Sequence, residues 1–163
     1  MKRWEVLAKL IKENNFKVGA EIGVNQGVNM GMVLRMCPKF SWYGVDDWRA
    51  GYLGWDEAKR KDNKRKALSV QRRHSGRVKF LVMDSVSASK RFEDGSLDLV
   101  FIDADHSYKG VKSDLEAWGP KVRPGGVLAG HDYEQPDFPG VKQAVDEFCK
   151  PNTGAEWVWW TRF

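Results

Sequence analysis

A dense group of titratable side chains lies where an apolar run of the sequence meets an amphipathic segment. The stretch "FIDADHSYKGVKSDLEAW", residues 101–118, contains four carboxylates and one histidine. Asp103, Asp105 and His106 follow the apolar residues at once, whereas a single carboxylate would suffice to cap the next helix. His131 and Asp132 follow a second apolar run in the same way. We therefore expect these side chains to hold something other than a helix end.

A glycine-containing segment, "AEIGVNQG" at residues 20–27, lies between an apolar run and a helical pattern. Glycines there let a ligand approach the backbone, as they do in NAD-binding proteins. Asn25 stands where a dinucleotide fingerprint needs glycine, and Glu21 would repel a pyrophosphate at the helix N-terminus. A cationic ligand without phosphate, such as S-adenosylmethionine, fits better. The predicted contacts are Glu21, Gly23, Val24, Asn25 and Gly27; the alternative is two turn glycines beside a surface acid.

Acidic residues also follow the next two apolar runs. An acid about 20 residues beyond the glycine segment can accept both hydroxyl hydrogens of a ribose. Asp46 is the predicted ribose acid, with Asp47 as the alternative. Asp84 and the backbone of Ser85 are predicted to meet the edge of an adenine, although Asp84 could equally cap a helix.

The elements that must position these residues alternate along the chain. Helical periodicity predicts helices near 2–14, after Gly27, and near 55–73, 86–92, 109–118 and 139–149. Apolar runs predict strands at 17–23, 41–46, 77–84, 97–103, 126–131 and 156–163. This alternation predicts an α/β fold with a mostly parallel sheet covered by helices on both faces. The loops at the carboxyl ends of such strands build the ligand site.

Composition restricts the class of protein. With 163 residues, 42% of them hydrophobic, the chain can bury one core, and we expect a single domain over 1–163. Cys37 and Cys149 have neither disulfide nor metal-ligand spacing, which fits a reducing, cytoplasmic compartment. Lysines interrupt the apolar residues of the N-terminal helix, so neither a signal peptide nor a membrane span is expected. The oligomeric state stays open, with a homodimer as one option.

Five motifs together resemble a known family. "AEIGVNQG", "GVDDW", "FIDADHSYKGVKSDLEAW", "VRPGGVLAGHDY" and "FPGVKQAVDEF" are similar to class I S-adenosylmethionine-dependent methyltransferases, and more narrowly to methyltransferase domain 24, from about residue 17 to the C-terminus. The resemblance implies a three-layer, Rossmann-like sheet that binds S-adenosylmethionine. Because that sheet usually ends in a parallel sixth and an antiparallel seventh strand, and only one is evident here, we expect an abbreviated C-terminal strand region.

The resemblance also implies roles for the polar strand ends. In related metal-dependent O-methyltransferases an acid that ends the fourth strand binds a divalent ion, and Asp103 matches it. Asp103 is also predicted to contact the cofactor. The next ligands end the fifth strand, where this chain has His131 and Asp132. Their general base lies three positions after the first ligand, which is His106. This chain departs from that pattern at two positions. The plant and catechol enzymes have asparagine as the last of these ligands, whereas here Tyr133 follows Asp132, and His131 replaces the acid of the sugar enzymes.

The chemistry of methyl transfer to oxygen gives these assignments a physical reason. The acceptor hydroxyl must be deprotonated and held in line with the sulfonium methyl, which Mg²⁺ and a neighbouring imidazole can achieve together. Carboxylates suit Mg²⁺, although the imidazole of His131 is a softer ligand. The alternative is that Asp103 and Asp105 cap the next helix while His131 and Asp132 hydrogen-bond across their loop.

Other features favour less specific interpretations. The basic segment 59–77 could bind nucleic acid, but a solvated helix face or a lid that attracts an acidic substrate is favoured. Trp48 and Trp55 belong to the same lid candidate, whereas the tryptophans of the last strand are expected to be buried. The leading prediction is an O-methyltransferase for a small hydroxylated acceptor such as a sugar or phenol. A nucleic-acid methyltransferase and a non-catalytic cofactor-binding protein are the alternatives.

Overall fold

The structure is a computed structural model that describes residues 1–49 and 54–163. Its strands are β1 (Val18–Ile22), β2 (Ser41–Val45), β3 (Val78–Leu81), β4 (Leu97–Ile102), β5 (Val122–Gly130), β6 (Asn152–Thr153) and β7 (Trp159–Arg162). Its α-helices are α1 (Arg3–Glu13), α2 (Val28–Met36), α3 (Glu57–Arg73), α4 (Ser85–Ser89), α5 (Tyr108–Trp118) and α6 (Pro139–Phe148). In these described parts no helix is long and apolar enough to cross a membrane.

The described strands form one seven-stranded sheet with the order β3-β2-β1-β4-β5-β7-β6. Strands β1 to β5 pair in parallel, and β7 runs antiparallel to both β5 and β6. The predicted α/β fold with a mostly parallel sheet is confirmed. The expected abbreviation is also confirmed, because β6 has only two residues.

Helices cover both faces of the sheet and make three layers. Side chains alternate along each strand, so Leu99 and Phe101 of β4 face one core while Val100 and Ile102 face the other. The first core contains residues of α1, α2 and α3, and the second contains residues of α4, α5 and α6. This double covering explains why the parallel strands are nearly continuous apolar runs.

The C-terminal strand differs from its prediction. The expected strand 156–163 is shorter, because a 3-10 turn occupies Ala155–Trp157 before β7 begins. Glu156 and Trp157 have φ values of 55° and 56°, which no strand residue adopts. The predicted burial of Trp157 is therefore wrong, since 48% of it is exposed, whereas Trp159 is buried. The turn brings the Glu156 carboxylate to the backbone N–H of Arg3 at 2.9 Å.

A buried carboxylate joins the starts of two strands. Asp98 of β4 accepts hydrogen bonds from the backbone N–H groups of Lys17 and Val18 at 2.6 and 2.9 Å, and from Arg123 Nε at 2.5 Å. Burial opposes its ionisation, yet these donors hold the pKa of Asp98 below its usual range. The carboxylate therefore fixes the entry of β1 beside β4.

Replacing Asp98 should destabilise the fold in a pH-dependent way. Asp98→Ala leaves buried donors and Arg123 unpaired, so we expect a loss of about 3 kcal/mol in the free energy of unfolding at neutral pH. A lowered folded-state pKa means that this stability is present above the ordinary aspartate pKa of about 3.9 and disappears as pH falls below it. Urea unfolding of both proteins at several pH values measures the difference.

Asp94→Ala is the matched control. Asp94 is exposed and pairs with Lys121 at 2.6 Å, so its removal should cost less than about 1 kcal/mol. Equal losses for the two variants would contradict the role given to Asp98.

Candidate functional site

A cavity of about 720 Å³ opens at the carboxyl ends of β1 to β5. Parallel strands end at the same edge of a sheet, so the residues that follow them meet there. All predicted site residues except Gly27 line this cavity: Glu21, Gly23, Val24, Asn25, Asp46, Asp47, Asp84, Ser85, Asp103, His106, His131 and Asp132. The lid candidate borders it through Trp48 and Trp55, while residues 50–53 between them lie outside the described residues.

The glycine segment forms a turn that is pressed against the end of β4. Gly23 has a φ of +88°, and a Cβ there would lie 2.1 Å from the Asp103 carbonyl oxygen. Only glycine fits this position. Gly27 has a φ of +74° and faces α3 instead, where a Cβ would lie 3.1 Å from Val70 Cγ2. The two glycines thus serve different purposes: Gly23 shapes the cavity wall, and Gly27 permits helix packing.

The carboxylate of Asp46 ties the end of β2 to the glycine turn. Its Oδ2 accepts hydrogen bonds from the backbone N–H groups of Val24 and Asn25 at 2.9 and 2.8 Å, and its Oδ1 accepts one from Trp48 at 2.7 Å. Burial raises the pKa of Asp46 despite these donors. Each carboxylate oxygen keeps further acceptor capacity for a ribose hydroxyl. The alternative acid, Asp47, forms an ion pair with Arg49.

Glu21 lies beneath the turn and is 1% exposed. Its Oε1 accepts a hydrogen bond from Asn29 Nδ2 at 2.9 Å, and its Oε2 accepts one from Trp42 Nε1 at 2.7 Å. Burial raises the pKa of Glu21 to about 7, although these two donors oppose the shift. A positive charge in the cavity would therefore stabilise the ionised form of this carboxyl.

At the end of β3, the structure gives Asp84 a capping role. Asp84 accepts a hydrogen bond from the backbone N–H of Ser87 at 2.9 Å and starts α4. Ser85 Oγ instead donates to Asp114 Oδ1 at 2.5 Å and accepts from Trp118 Nε1 at 2.8 Å. Asp114 is not among the site residues predicted from the sequence. Its signal is an acid on the apolar face of α5, which also carries Val111, Leu115 and Trp118.

The polar residues after β4 and β5 form one cluster. Ile102 pairs with Gly130 in the sheet, so the residues that follow the two strands are neighbours. His106 Nε2 lies 2.8 Å from Asp132 Oδ2 and 3.8 Å from Asp103 Oδ1. His131 Nδ1 lies 3.0 Å from Asp132 Oδ1. Neither Asp103 nor Asp105 is the N-cap residue of α5, because Ser107 has that position.

A cation from the N-terminal helix completes the cluster. Arg3, the first residue of α1, places Nη1 at 2.8 Å from Asp103 Oδ2 and lines the cavity. Arg3 is not among the residues predicted from the sequence, since the family resemblance begins only near residue 17. The local pattern carries no signal for a contact between residues 3 and 103, which depends on how α1 docks on the sheet.

Charge in this cluster is balanced by neighbouring groups. Burial disfavours the imidazolium of His106, but hydrogen bonds and charges of Asp103 and Asp132 raise its pKa to about 9. Burial likewise opposes ionisation of Asp132, yet His106 and His131 hold its pKa well below the usual range. At neutral pH the pair is therefore an imidazolium and a carboxylate. His106 must lose this proton before it can act as a base.

Three of these side chains also have the geometry of a metal site. Asp103, His131 and Asp132 each offer one ligand atom, and these atoms lie within 4.8 Å of one another. Arg3 and the hydrogen bond between His131 and Asp132 compete for the same atoms. The donor set fits a divalent ion, provided that it displaces these partners.

Comparison with known proteins identifies similar sequences. The family model described as a methyltransferase domain matches residues 20–133, which contain most of the predicted site. An uncharacterized protein of Sinorhizobium fredii is 30% identical over 96 residues. That match covers 56% of this chain and 10% of the relative, so the chain spans about a tenth of the length of this curated protein.

Solved structures share the fold at low sequence identity. A Corynebacterium glutamicum protein has a TM-score of 0.71 at 18% identity and covers 98% of this chain and 79% of its own. An O-methyltransferase from Bacillus cereus in complex with S-adenosylhomocysteine has a TM-score of 0.69 at 16% identity, covering 99% and 80%. A TDP-rhamnose 3′-O-methyltransferase of calicheamicin biosynthesis has a TM-score of 0.70 at 17% identity, covering 98% and 77%.

The pKa of Glu21 predicts a stability change near neutral pH. A carboxyl whose pKa rises from 4.5 to about 7 binds its proton more tightly when folded. The contribution of Glu21 to the free energy of unfolding is therefore fully present below pH 4.5. This contribution, about 3 kcal/mol, is lost as the pH rises through 7. Glu21→Gln removes this titrating group, so the free energy of unfolding of the variant should depend less on pH between 4.5 and 7 than that of the wild-type protein. Urea unfolding at several pH values checks this.

Glu116→Gln provides the control, because it removes the same charge from an exposed position on α5. Its pH profile should follow that of the wild-type protein. If Glu21→Gln also followed the wild-type profile, the protonation state assigned to Glu21 would be wrong.

Proposed function

The chain belongs to the methyltransferase-domain family, and from that premise we propose that it transfers the methyl group of S-adenosylmethionine to a hydroxyl oxygen of a small molecule. One observation carries the proposal: acidic residues in β1 and after β2 line the same cavity as the His106 cluster after β4 and β5. A donor bound along the first group would extend to the second. The methyl acceptor can therefore bind at the His106 cluster, next to the proposed donor.

The cofactor fits the charge of this cavity. Glu21 lies beneath the turn, and a sulfonium or ammonium nearby would stabilise its ionised form. Asp46 joins the glycine turn to the ribose position and retains acceptor capacity on both oxygens. Phosphate groups would meet repulsion from these acids, which separates this donor from a dinucleotide.

The transfer step assigns His106 as the general base. The acceptor oxygen loses its proton to His106 Nε2 and bonds to the methyl carbon, while the carbon–sulfur bond breaks and its electron pair stays on sulfur. S-adenosylhomocysteine is the second product. A proton held on Nε2 is stabilised by Asp132 Oδ2, which lies 2.8 Å away. Neutral His106 becomes more abundant as pH rises towards its pKa of about 9.

A divalent cation is part of the proposal because Asp103, His131 and Asp132 converge. When bound, such an ion would acidify the acceptor hydroxyl and orient it. The chain's own contribution is to release the competing partners: Arg3 must leave Asp103 Oδ2, and His131 Nδ1 must leave Asp132. Mg²⁺ or Mn²⁺ suits two carboxylates better than a softer metal.

The acceptor is proposed to be a sugar or a phenol. Phe138 stacks on His106 with ring centroids 4.2 Å apart, so an apolar ring lies at the catalytic end of the cavity. A flat phenol or the apolar face of a sugar can pack there. The structural similarity to a TDP-rhamnose 3′-O-methyltransferase supports the sugar. Arg3 and Arg49 also line the cavity and favour an acceptor with negative charge.

The basic helix α3 is better explained as a support for the donor site than as a nucleic-acid surface. Lys61 pairs with Glu57, and Arg65 and Lys66 pair with Asp62, so several of its charges are neutralised within the helix. Its other face packs on Gly27 through Ala67 and Val70. Arg60 also donates to the Trp48 carbonyl at 3.0 Å. These contacts favour a helix that holds the glycine turn.

Cofactor binding is tested by thermal unfolding and calorimetry with S-adenosylmethionine and S-adenosylhomocysteine. Ligand at a hundredfold excess over Kd should stabilise the protein by about 2.7 kcal/mol. Asp46→Ala should weaken binding at least tenfold, because it removes ribose hydrogen bonds and frees the glycine turn. Asp47→Ala is the matched control and should bind normally. If Asp47→Ala weakened binding and Asp46→Ala did not, Asp47 would be the ribose acid. If neither compound stabilised the protein, S-adenosylmethionine would be excluded as the donor.

Metal and base roles are tested with an acceptor found by screening sugars and phenols for S-adenosylhomocysteine release. EDTA should abolish turnover and Mg²⁺ or Mn²⁺ should restore it. His106→Ala should lower turnover by about 10²–10⁴-fold, the range for a positioned acid or base, without loss of donor affinity.

Arg3→Gln supplies a readout that needs no acceptor. Removing the competing guanidinium should tighten Mn²⁺ binding, which electron paramagnetic resonance measures directly. Full turnover in EDTA together with unchanged Mn²⁺ affinity in this variant would refute the metal role.

A further inference from the structure

Asp114 is a buried carboxylate of the cavity for which the transfer chemistry has no use. It is 4% exposed, projects from α5 and lines the cavity. Ser85 Oγ donates to its Oδ1 at 2.5 Å, and Trp118 Nε1 fixes that hydroxyl from behind at 2.8 Å. Within residues 1–49 and 54–163 no hydrogen bond to Oδ2 is found.

Asp114 is largely buried, yet in the described parts of the chain its carboxylate accepts a hydrogen bond from one side chain, that of Ser85. Burial raises the pKa of Asp114 to about 6, and the charges of Asp105 and Asp84 raise it further, against the single hydrogen bond from Ser85. Because Asp114 lines the cavity and its single donor is on Oδ1, a ligand in the cavity that brings an N–H group can supply a second hydrogen bond. The structure thus provides a preformed acceptor on the cavity wall.

The surroundings of Asp114 suit the edge of a purine. Val45, Met83 and Val86 line the same cavity and offer apolar contacts to ring faces. Asp46, the proposed ribose acid, ends the strand adjacent to β3, so a base attached to that ribose reaches the Met83–Val86 segment. Asp84 is exposed, and its carboxylate already caps α4. Asp114 is the buried acid at this end of the cavity.

We propose that Asp114, positioned by Ser85, accepts a hydrogen bond from the exocyclic amino group of the cofactor's adenine and thereby selects adenine over purines that lack this group. The inference rests on the proposed use of S-adenosylmethionine. It replaces Asp84 with Asp114 as the side chain that reads the adenine edge. Ser85 acts as a positioning residue, because its hydroxyl holds Asp114 Oδ1 and leaves Oδ2 towards the ligand.

The test compares two ligands by calorimetry: S-adenosylhomocysteine and its analogue in which the 6-amino group is replaced by hydrogen. The wild-type protein should bind the adenine compound roughly 10–100-fold more tightly, the effect of one hydrogen bond to a charged acceptor. Asp114→Ala should lose this preference mainly through weaker binding of the adenine compound. Ser85→Ala should reduce the preference in part.

Two further variants keep the test decisive. Asp114→Asn preserves shape and folding, because its amide oxygen can still accept from Ser85 while its NH₂ group faces the cavity; it should lose the preference as well. Asp84→Ala removes the exposed acid and should retain it.

The outcomes separate the two proposals. If the wild-type protein binds neither compound, the cofactor assignment fails and this inference fails with it. If it binds both equally, or if folded Asp114→Asn keeps the preference, the adenine role of Asp114 is overturned while the cofactor assignment stands. Loss of the preference in Asp84→Ala alone would return the role to Asp84.

Discussion

Neutralisation of buried carboxylates is the constraint on which the organisation of this site depends. Five parallel strands end at one edge of the sheet and bring Glu21, Asp46, Asp103 and Asp132 to one cavity, with Asp114 added from α5. Like charges in a partly buried space repel one another unless each has donors or cations beside it. The chain meets this requirement differently at the two ends of the cavity.

At the proposed donor end, neutral groups supply the hydrogen bonds to the carboxylates. Backbone N–H groups hold Asp46, an indole and an amide hold Glu21, and a hydroxyl holds Asp114. Burial outweighs these donors, so all three carboxyls have raised pKa values. Such groups are stabilised by a ligand that brings positive charge or N–H donors, which is what a sulfonium, an ammonium and an adenine amine provide. The cavity is thus electrostatically prepared for its proposed donor.

At the other end, which is the proposed catalytic end, full charges face one another. Arg3 pairs with Asp103 and His106 pairs with Asp132, so two carboxylates meet two cations without any added group. Both chain ends contribute to this arrangement: the Glu156 carboxylate accepts hydrogen bonds from Lys2 and from the backbone of Arg3 and thereby anchors the start of α1. The N-terminal helix therefore does more than cover the sheet, because its Arg3 supplies a positive charge to the cavity beside Asp103.

The sequence by itself determined the alternation of strands and helices, and with it the parallel sheet whose strand ends share a cavity. Apolar periodicity is a local property, and parallel pairing then brings Asp46, Asp103 and His131 to one edge without further information. Gly23 was also identifiable from the sequence, as a position where a ligand approaches the backbone, whereas its close approach to the Asp103 carbonyl oxygen is visible only in the structure.

Only the tertiary structure decided which side chains touch. The contact of Arg3 with Asp103 and the bond of Asp114 to Ser85 join residues 100 and 29 positions apart, and no local period records such distances. The 3-10 turn at Trp157 was hidden for a related reason. A two-residue β6 and positive φ values leave no repeating pattern, so the tryptophans there resembled a continuous strand. Local pattern therefore specified the elements and the edge where the site lies, whereas helix docking and side-chain packing specified its charges and hydrogen bonds.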